Sequence, residues 1–193
     1  MGRENNMAKL YFRYGAMGSS KTANALMARY NYLEKGKNPL LLKPAIENRD
    51  GEKIISSRIG LSAECELAEE FLMKATKEYL NQYDVIIIDE AQFLKTSDID
   101  VLARIVDECQ ITVICYGLRT DFTGHLFEGS KRLMELADVI EEIPTICWCG
   151  KKAQFNARVK NGTVVKTGEQ IEMGGNESYV SLCRKHFMQG ELK

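Results

Sequence analysis

The chain has 193 residues, 45% of them hydrophobic and 27% charged, with a formal net charge of -1. That is the make-up of one globular domain with room for a small appendage and a substantial buried core. The near-neutral charge gives no electrostatic case for sequence-independent nucleic-acid binding. No apolar run approaches membrane-spanning length, and the first residues, Met1 to Asn6, lack a signal-peptide core.

In chain order, Lys9–Tyr14 has the alternation of a strand and runs into Gly15-Ala16-Met17-Gly18-Ser19-Ser20-Lys21-Thr22. Thr22 to Glu34 then reads as a helix, with Ala25, Leu26, Ala28, Arg29 and Leu33 at helical spacing. Strand, loop and helix in this order form a phosphate cradle, because successive backbone N–H groups converge on phosphate oxygens at the helix N-terminus. Lys21 adds a point charge on the outer phosphates, and the Thr22 hydroxyl is placed to ligate Mg²⁺. Ser20 stands where the last glycine of the Walker A pattern G-x-x-x-x-G-K-[ST] belongs.

Pro39–Lys43 is a second strand, and Asn48 to Ser57 is polar and turn-rich, the pattern of a mobile loop. Ala68 to Leu80 is expected to be helical. Asp84-Val85-Ile86-Ile87-Ile88-Asp89-Glu90 is a buried parallel strand ending in two carboxylates. Asp89 is expected to approach the cradle's metal ion from the neighbouring strand, directly or through water. A helix follows from Ser97 or Asp98 to about Glu108, with Asp98 as cap and Ile99, Leu102, Ile105 and Val106 as its apolar stripe. Ile111–Gly117 is another buried strand. Strands alternating with helices imply a parallel sheet with helices on both faces.

Near Pro144 the character changes: the chain becomes cysteine-rich, turns in a hairpin at Asn161-Gly162, and carries the glycine-rich Met173-Gly174-Gly175-Asn176. Cys147 and Cys149 form one ligand pair, Cys183 and His186 another, about one hairpin apart. Four such ligands on two turns follow the logic of a zinc ribbon, closing a small unit with little core of its own. The first pair is C-x-C where C-x-x-C is usual; the alternative is two unrelated thiols and a surface histidine. Cys65, Cys109 and Cys115 lie in apolar patterns and read as core thiols. His125, in a polar loop, reads as a solvated side chain. Thiols or metal, and not disulfides, place the chain in the cytoplasm.

Asp89-Glu90-Ala91-Gln92-Phe93, Tyr116-Gly117-Leu118-Arg119-Thr120-Asp121-Phe122, and Gly174-Gly175-Asn176-Glu177-Ser178-Tyr179 followed by Cys183-Arg184-Lys185-His186 appear together with the phosphate loop. In order and spacing the chain resembles the type II, cytosolic and zinc-containing thymidine kinases, its bacterial members above all, from about Lys9 to Phe187. The resemblance implies an α/β fold: a P-loop NTPase (RecA-like) parallel sheet flanked by helices over residues 1–143, and a small zinc-stapled lasso domain over 144–193. It implies transfer of a phosphoryl group from ATP, with Mg²⁺, to the 5′-hydroxyl of thymidine. By the same resemblance Glu90 is the catalytic base, and the ATP site comprises Gly15, Ala16, Met17, Gly18, Ser19, Ser20, Lys21 and Thr22 with Asp89, Glu90, Ala91 and Gln92. Arg49 is a further candidate beside the phosphates. Thymidine is expected under a lasso of roughly Gln170 to Tyr179, against Met17, Phe122, Gln170, Ile171, Glu172, Met173, Gly174 and Tyr179. A structural Zn²⁺ on Cys147, Cys149, Cys183 and His186, a homotetramer and feedback inhibition by thymidine triphosphate complete what the resemblance implies.

Two readings of other classes stand beside it. A P-loop ATPase would hydrolyse ATP without nucleoside. A zinc-ribbon interaction module would present a basic surface, here Lys151, Lys152, Arg158 and Lys160. Gln92 either orients sugar or base or is a capping or surface amide, and Phe122 and Tyr179 have core filling as their alternative.

Overall fold

The computed structural model describes residues 7–48, 51–170 and 179–193. Its main sheet is parallel throughout and contains, among the described residues, six strands: β1 (Leu10–Tyr14), β2 (Pro39–Lys43), β5 (Glu66–Leu67), β6 (Val85–Ile88), β7 (Thr112–Gly117) and β8 (Val139–Glu142), in the order β5-β2-β6-β7-β1-β8. Two further short strands, β3 (Ile54–Ser56) and β4 (Ser62–Glu64), form a hairpin between β2 and β5.

The strand pattern explains why the sheet needs helices on both faces. Along β6, Ile86 and Ile88 pack with Ile99, Leu102 and Val106 of α4 (Thr96–Cys109). Val85 and Ile87, pointing the other way, pack with Ala25 and Leu26 of α1 (Lys21–Glu34). All four β6 residues are fully buried, so the run has no polar face to show. Between β5 and β6 lie α2 (Ala68–Lys74) and α3 (Lys77–Leu80), and α5 (Glu128–Leu136) covers the edge near α4.

The chain after Ile143 builds small antiparallel pieces: β9 (Thr145–Ile146) with β10 (Lys152–Ala153), then β11 (Phe155–Lys160) between β12 (Thr163–Val165) and β13 (Tyr179–Leu182), closed by α6 (Arg184–Gln189). The Asn161-Gly162 turn is confirmed: Lys160 pairs with Thr163, and both turn residues have positive φ, 51° and 72°.

Four expectations are corrected. The acidic strand is not beside the phosphate-loop strand, because β7 lies between β6 and β1. The segment read as a loop over 48–57 contains β3, whose exposed tip hid its pairing with β4. The helix expected over Ala68–Leu80 is broken at Ala75–Thr76, where the Thr76 hydroxyl accepts the Tyr79 N–H and caps a new helix. Asp98 caps α4 from its third position, accepting the Lys95 N–H at 3.0 Å. Arg49 lies outside the described residues, as do Ile171, Glu172, Met173 and Gly174.

Candidate active site

Two loops meet over the end of β7. The first, Gly15 to Ser20, leaves β1; Gly15 donates its N–H to the Gly117 carbonyl at 3.2 Å. The second carries Asp89 and Glu90 from β6 into a tight turn, Ala91–Phe93. They can converge because β7 ends in a glycine: a Cβ on Gly117 would lie 2.7 Å from Gln92 Oε1. A strand that the sequence hides between the two motifs is thus made thin at the point where they must touch.

Lys21 is buried and turns back into its loop, donating to the carbonyls of Gly15 at 3.1 Å and Ala16 at 3.0 Å. Burial lowers its ammonium below the ordinary lysine value, with Glu90 and Asp89 pulling the other way. Asp89 is only 3% exposed, its N–H donates to Leu42, and the Thr22 hydroxyl hydrogen bonds to its carboxylate. Its Oδ1 has no hydrogen-bond partner. Burial and the neighbouring Glu90 charge push its carboxyl up to about 7. A buried carboxylate oxygen without a donor, beside a threonine hydroxyl, is a donor set suited to a hard divalent cation.

Glu90 sits in the left-handed region, at φ 53° and ψ 35°. That conformation costs a non-glycine residue about 1–2 kcal/mol and points to a residue held for function. The neighbour that holds it is Gln92, fully buried, whose Nε2 donates to Glu90 Oε2 while its Oε1 accepts the Leu118 N–H at 2.9 Å. Gln92 is therefore no surface amide: it is a strut between Glu90 and the end of β7. Thr22, Asp89 and Glu90 line a cleft with Lys43, Glu47 and Ser56. Sequence reading passed over Lys43, the last residue of β2, and Glu47 in the turn beyond it, both buried, since polar residues after an apolar run resemble an ordinary strand exit.

Ser20 answers the irregularity in the loop. It adopts φ 62°, ψ 27°, the conformation that glycine enters freely. Serine occupies the glycine position at a cost in backbone strain, and Ser20→Gly is expected to stabilise the fold by about 1 kcal/mol while leaving ATP affinity near wild type, because the strain is already present before ATP arrives. Ser20→Val, β-branched and disfavoured at positive φ, should weaken ATP binding measured without nucleoside by tenfold or more, about 1.4 kcal/mol. Unchanged ATP affinity in the valine variant would remove Gly15–Thr22 as the cradle.

On the other side of the loop, Phe122 is buried with the Arg158 guanidinium 3.6 Å from its ring centre. Arg158 also donates to the Tyr179 hydroxyl at 2.9 Å and to the carbonyls of Glu169 and Gln170 at 2.9 and 3.3 Å. Gln170 Nε2 donates to Asp121 Oδ2 at 2.9 Å. Phe122, Tyr179 and Gln170 are thus brought together around one buried arginine. The basic surface expected to include Arg158 is corrected: that side chain is only 1% exposed and belongs to this cluster.

Cys147, Cys149, Cys183 and His186 place their ligand atoms within 4.8 Å of one another. His186 Nδ1 lies 3.4 Å from Cys147 Sγ and 3.5 Å from Cys183 Sγ, and Cys149 Sγ lies 4.0 Å from Cys183 Sγ. A tetrahedral zinc with ~2.3 Å bonds to sulfur needs donor edges of about 3.8 Å, so the four donors fit one ion. Burial opposes ionisation of Cys147, but the backbone N–H groups of Cys149 and Cys183 and the His186 side chain outweigh it and bring that thiol down to about 6. His186 is oriented through its other nitrogen, 3.6 Å from Glu191, and its ring stacks on Trp148 at 4.2 Å. The C-x-C spacing therefore does not prevent a four-donor cluster. Cys65 and Cys115 are buried and Cys109 half-buried, as core thiols should be.

The sequence profile of the thymidine kinase family matches residues 8–187. A thymidine kinase of Pasteurella multocida is 46% identical over 188 residues, 95% of this chain and 98% of that one. A thymidine kinase of Mannheimia succiniciproducens is 47% identical over 95% of this chain and 96% of its own length. A thymidine kinase of Lactococcus lactis is 44% identical over 191 residues, covering 96% of this chain and all of the relative.

Proposed function

The chain belongs to the thymidine kinase family, and from that premise we propose how its residues carry out ATP-dependent phosphorylation of thymidine. The protein is an ATP-dependent thymidine kinase. The 5′-hydroxyl oxygen of thymidine attacks the γ-phosphorus, the bond to ADP breaks, and the hydroxyl proton passes to the Glu90 carboxylate. The observation that carries this assignment is the paired carboxylates after β6: Asp89 buried with an oxygen left for a cation, Glu90 held by Gln92. Phosphoryl transfer asks for positioning, charge neutralisation and one base within reach; Asp89 would hold the neutralising cation and Glu90 is the base.

Lys21 and the loop Gly15–Thr22 bind the ATP phosphates, through the amides that are not already given to protein acceptors as those of Gly15, Met17 and Ser19 are, with Asp89, Glu90, Ala91 and Gln92 bordering the same site. Thr22 and Asp89 are the residues to hold Mg²⁺, which when bound neutralises phosphate charge. Met17, Phe122, Gln170 and Tyr179, with Ile171, Glu172, Met173 and Gly174, form the thymidine side. Support for that side is the Arg158 cluster, which fixes the two aromatics and Gln170 together. Residues 1–143 act as the nucleotide-binding unit and 144–193 as the zinc-stapled cover, with Zn²⁺ on the four clustered donors. Family membership alone supports a homotetramer and feedback inhibition by thymidine triphosphate. No helix among the described residues is long and apolar enough to cross a membrane, and six cysteines placed as core thiols or metal donors fit the reducing cytoplasm.

The deciding experiment measures ADP formation from ATP with each nucleoside added singly. ADP should form with thymidine and stay near background without nucleoside. Equal ADP formation in the absence of any nucleoside would make the protein a P-loop ATPase instead.

A further inference from the structure

Asn156 lies on β11 and is 3% exposed, and both ends of its amide are engaged. Its Oδ1 accepts the Met17 N–H at 2.8 Å, and its Nδ2 donates to the Thr120 carbonyl at 3.2 Å. Ser181, its register partner across β11 and β13, donates its hydroxyl to the Met17 carbonyl. The N–H and C=O of one phosphate-loop residue are thus gripped by two side chains facing each other across a different sheet. The Thr145 hydroxyl adds a weaker tie to the Gly18 carbonyl at 3.3 Å.

The loop has other backing besides these contacts. The loop is already backed by Gly15 on Gly117 and by Lys21 on its own carbonyls. The Met17 N–H, committed to Asn156, is also withdrawn from the phosphate side. What the contacts do is tie three segments into one piece: the phosphate loop at Met17, the Thr120–Phe122 segment, and the β11–β13 sheet that carries Arg158 and Tyr179.

We propose that Asn156 and Ser181 are positioning residues that couple the two substrates, so that occupancy of the nucleoside side sets the Met17 peptide in the arrangement that receives ATP. The inference rests on the functional reading above. A ligand can shift an arrangement only as far as it prefers one form, and such coupling is reciprocal between the two sites. Each substrate should therefore tighten the other by the same factor.

The test is calorimetric titration of the whole protein with a non-hydrolysable ATP analogue, with and without saturating thymidine, and the reverse. In the wild type each ligand should tighten the other at least about fivefold, the lower end of usual coupling factors. Asn156→Ala and Ser181→Ala should bring that factor close to one, while Ser181→Thr, which keeps the hydroxyl, should preserve it. If Asn156→Ala fails to fold, the Ser181 pair decides alone. Two ligands that bind the wild type independently, or coupling unchanged in Ser181→Ala, would overturn the inference and leave the kinase reading standing. A wild type that binds neither ligand would overturn the reading itself.

Discussion

Glu90→Gln should lower turnover by about 10²–10⁴-fold, the usual contribution of a positioned general base, while ATP and thymidine still bind. The substitution is close to isosteric. Its amide oxygen can still accept the hydrogen bond that Gln92 donates to Glu90 Oε2, so the turn after β6 keeps its shape. What is lost is a group able to take the 5′-hydroxyl proton. Binding affinities for both substrates and single-turnover rates separate the two contributions. Near-normal turnover with intact binding would remove Glu90 as the base and leave Asp89 and the phosphate loop as the whole catalytic apparatus.

The second large effect is expected at the metal corner. Purified protein should carry one zinc per chain, the stoichiometry of a single four-donor site. Cys183→Ser should reduce zinc content, thermal stability and thymidine affinity together. Cys183 directly follows β13, the strand that begins at Tyr179 and contains Ser181, so release of this donor loosens the strand that braces the nucleoside side. Structural zinc sites in small units contribute on the order of 10 kcal/mol to their folding, and the cluster of Ala153, Ala157, Leu182 and Phe187 is a small core to hold the sheet without it. Metal-free protein with full activity and unchanged melting would sink the zinc assignment and leave four thiol and imidazole groups packed for another reason.

What the sequence made legible is what local chemistry determines. Gly15–Thr22 and Asp84–Glu90 carry their meaning within a few residues, because a phosphate cradle and a buried strand with acidic ends are short-range patterns. The Asn161-Gly162 hairpin is legible for the same reason, since its two positive φ values ask for those residues. Strand order is not local. Nothing in residues 84–117 announces that β7 inserts between the two motifs, and only the finished sheet shows why Gly117 ends it. Arg158 and Asn156 were illegible in a sharper sense. In sequence they are a surface-type cation and a polar strand residue; their partners lie between 11 and 139 positions away. Gln92 shows the middle case: its place after the two acids suggests a role, but only its contacts with Glu90 and Leu118 show that it braces the base against the end of β7.

The stacking of Trp148 on His186 has a practical consequence. The chain contains a single tryptophan, and it lies against one of the four clustered donors at 4.2 Å, half exposed to solvent. Its emission is therefore a local gauge of the Cys/His corner, undiluted by indoles elsewhere. Removing a metal with a chelator, or shifting β13 by filling the nucleoside side, should change the intensity or wavelength of that one band. The protein carries its own label where the small sheet joins the clustered donors.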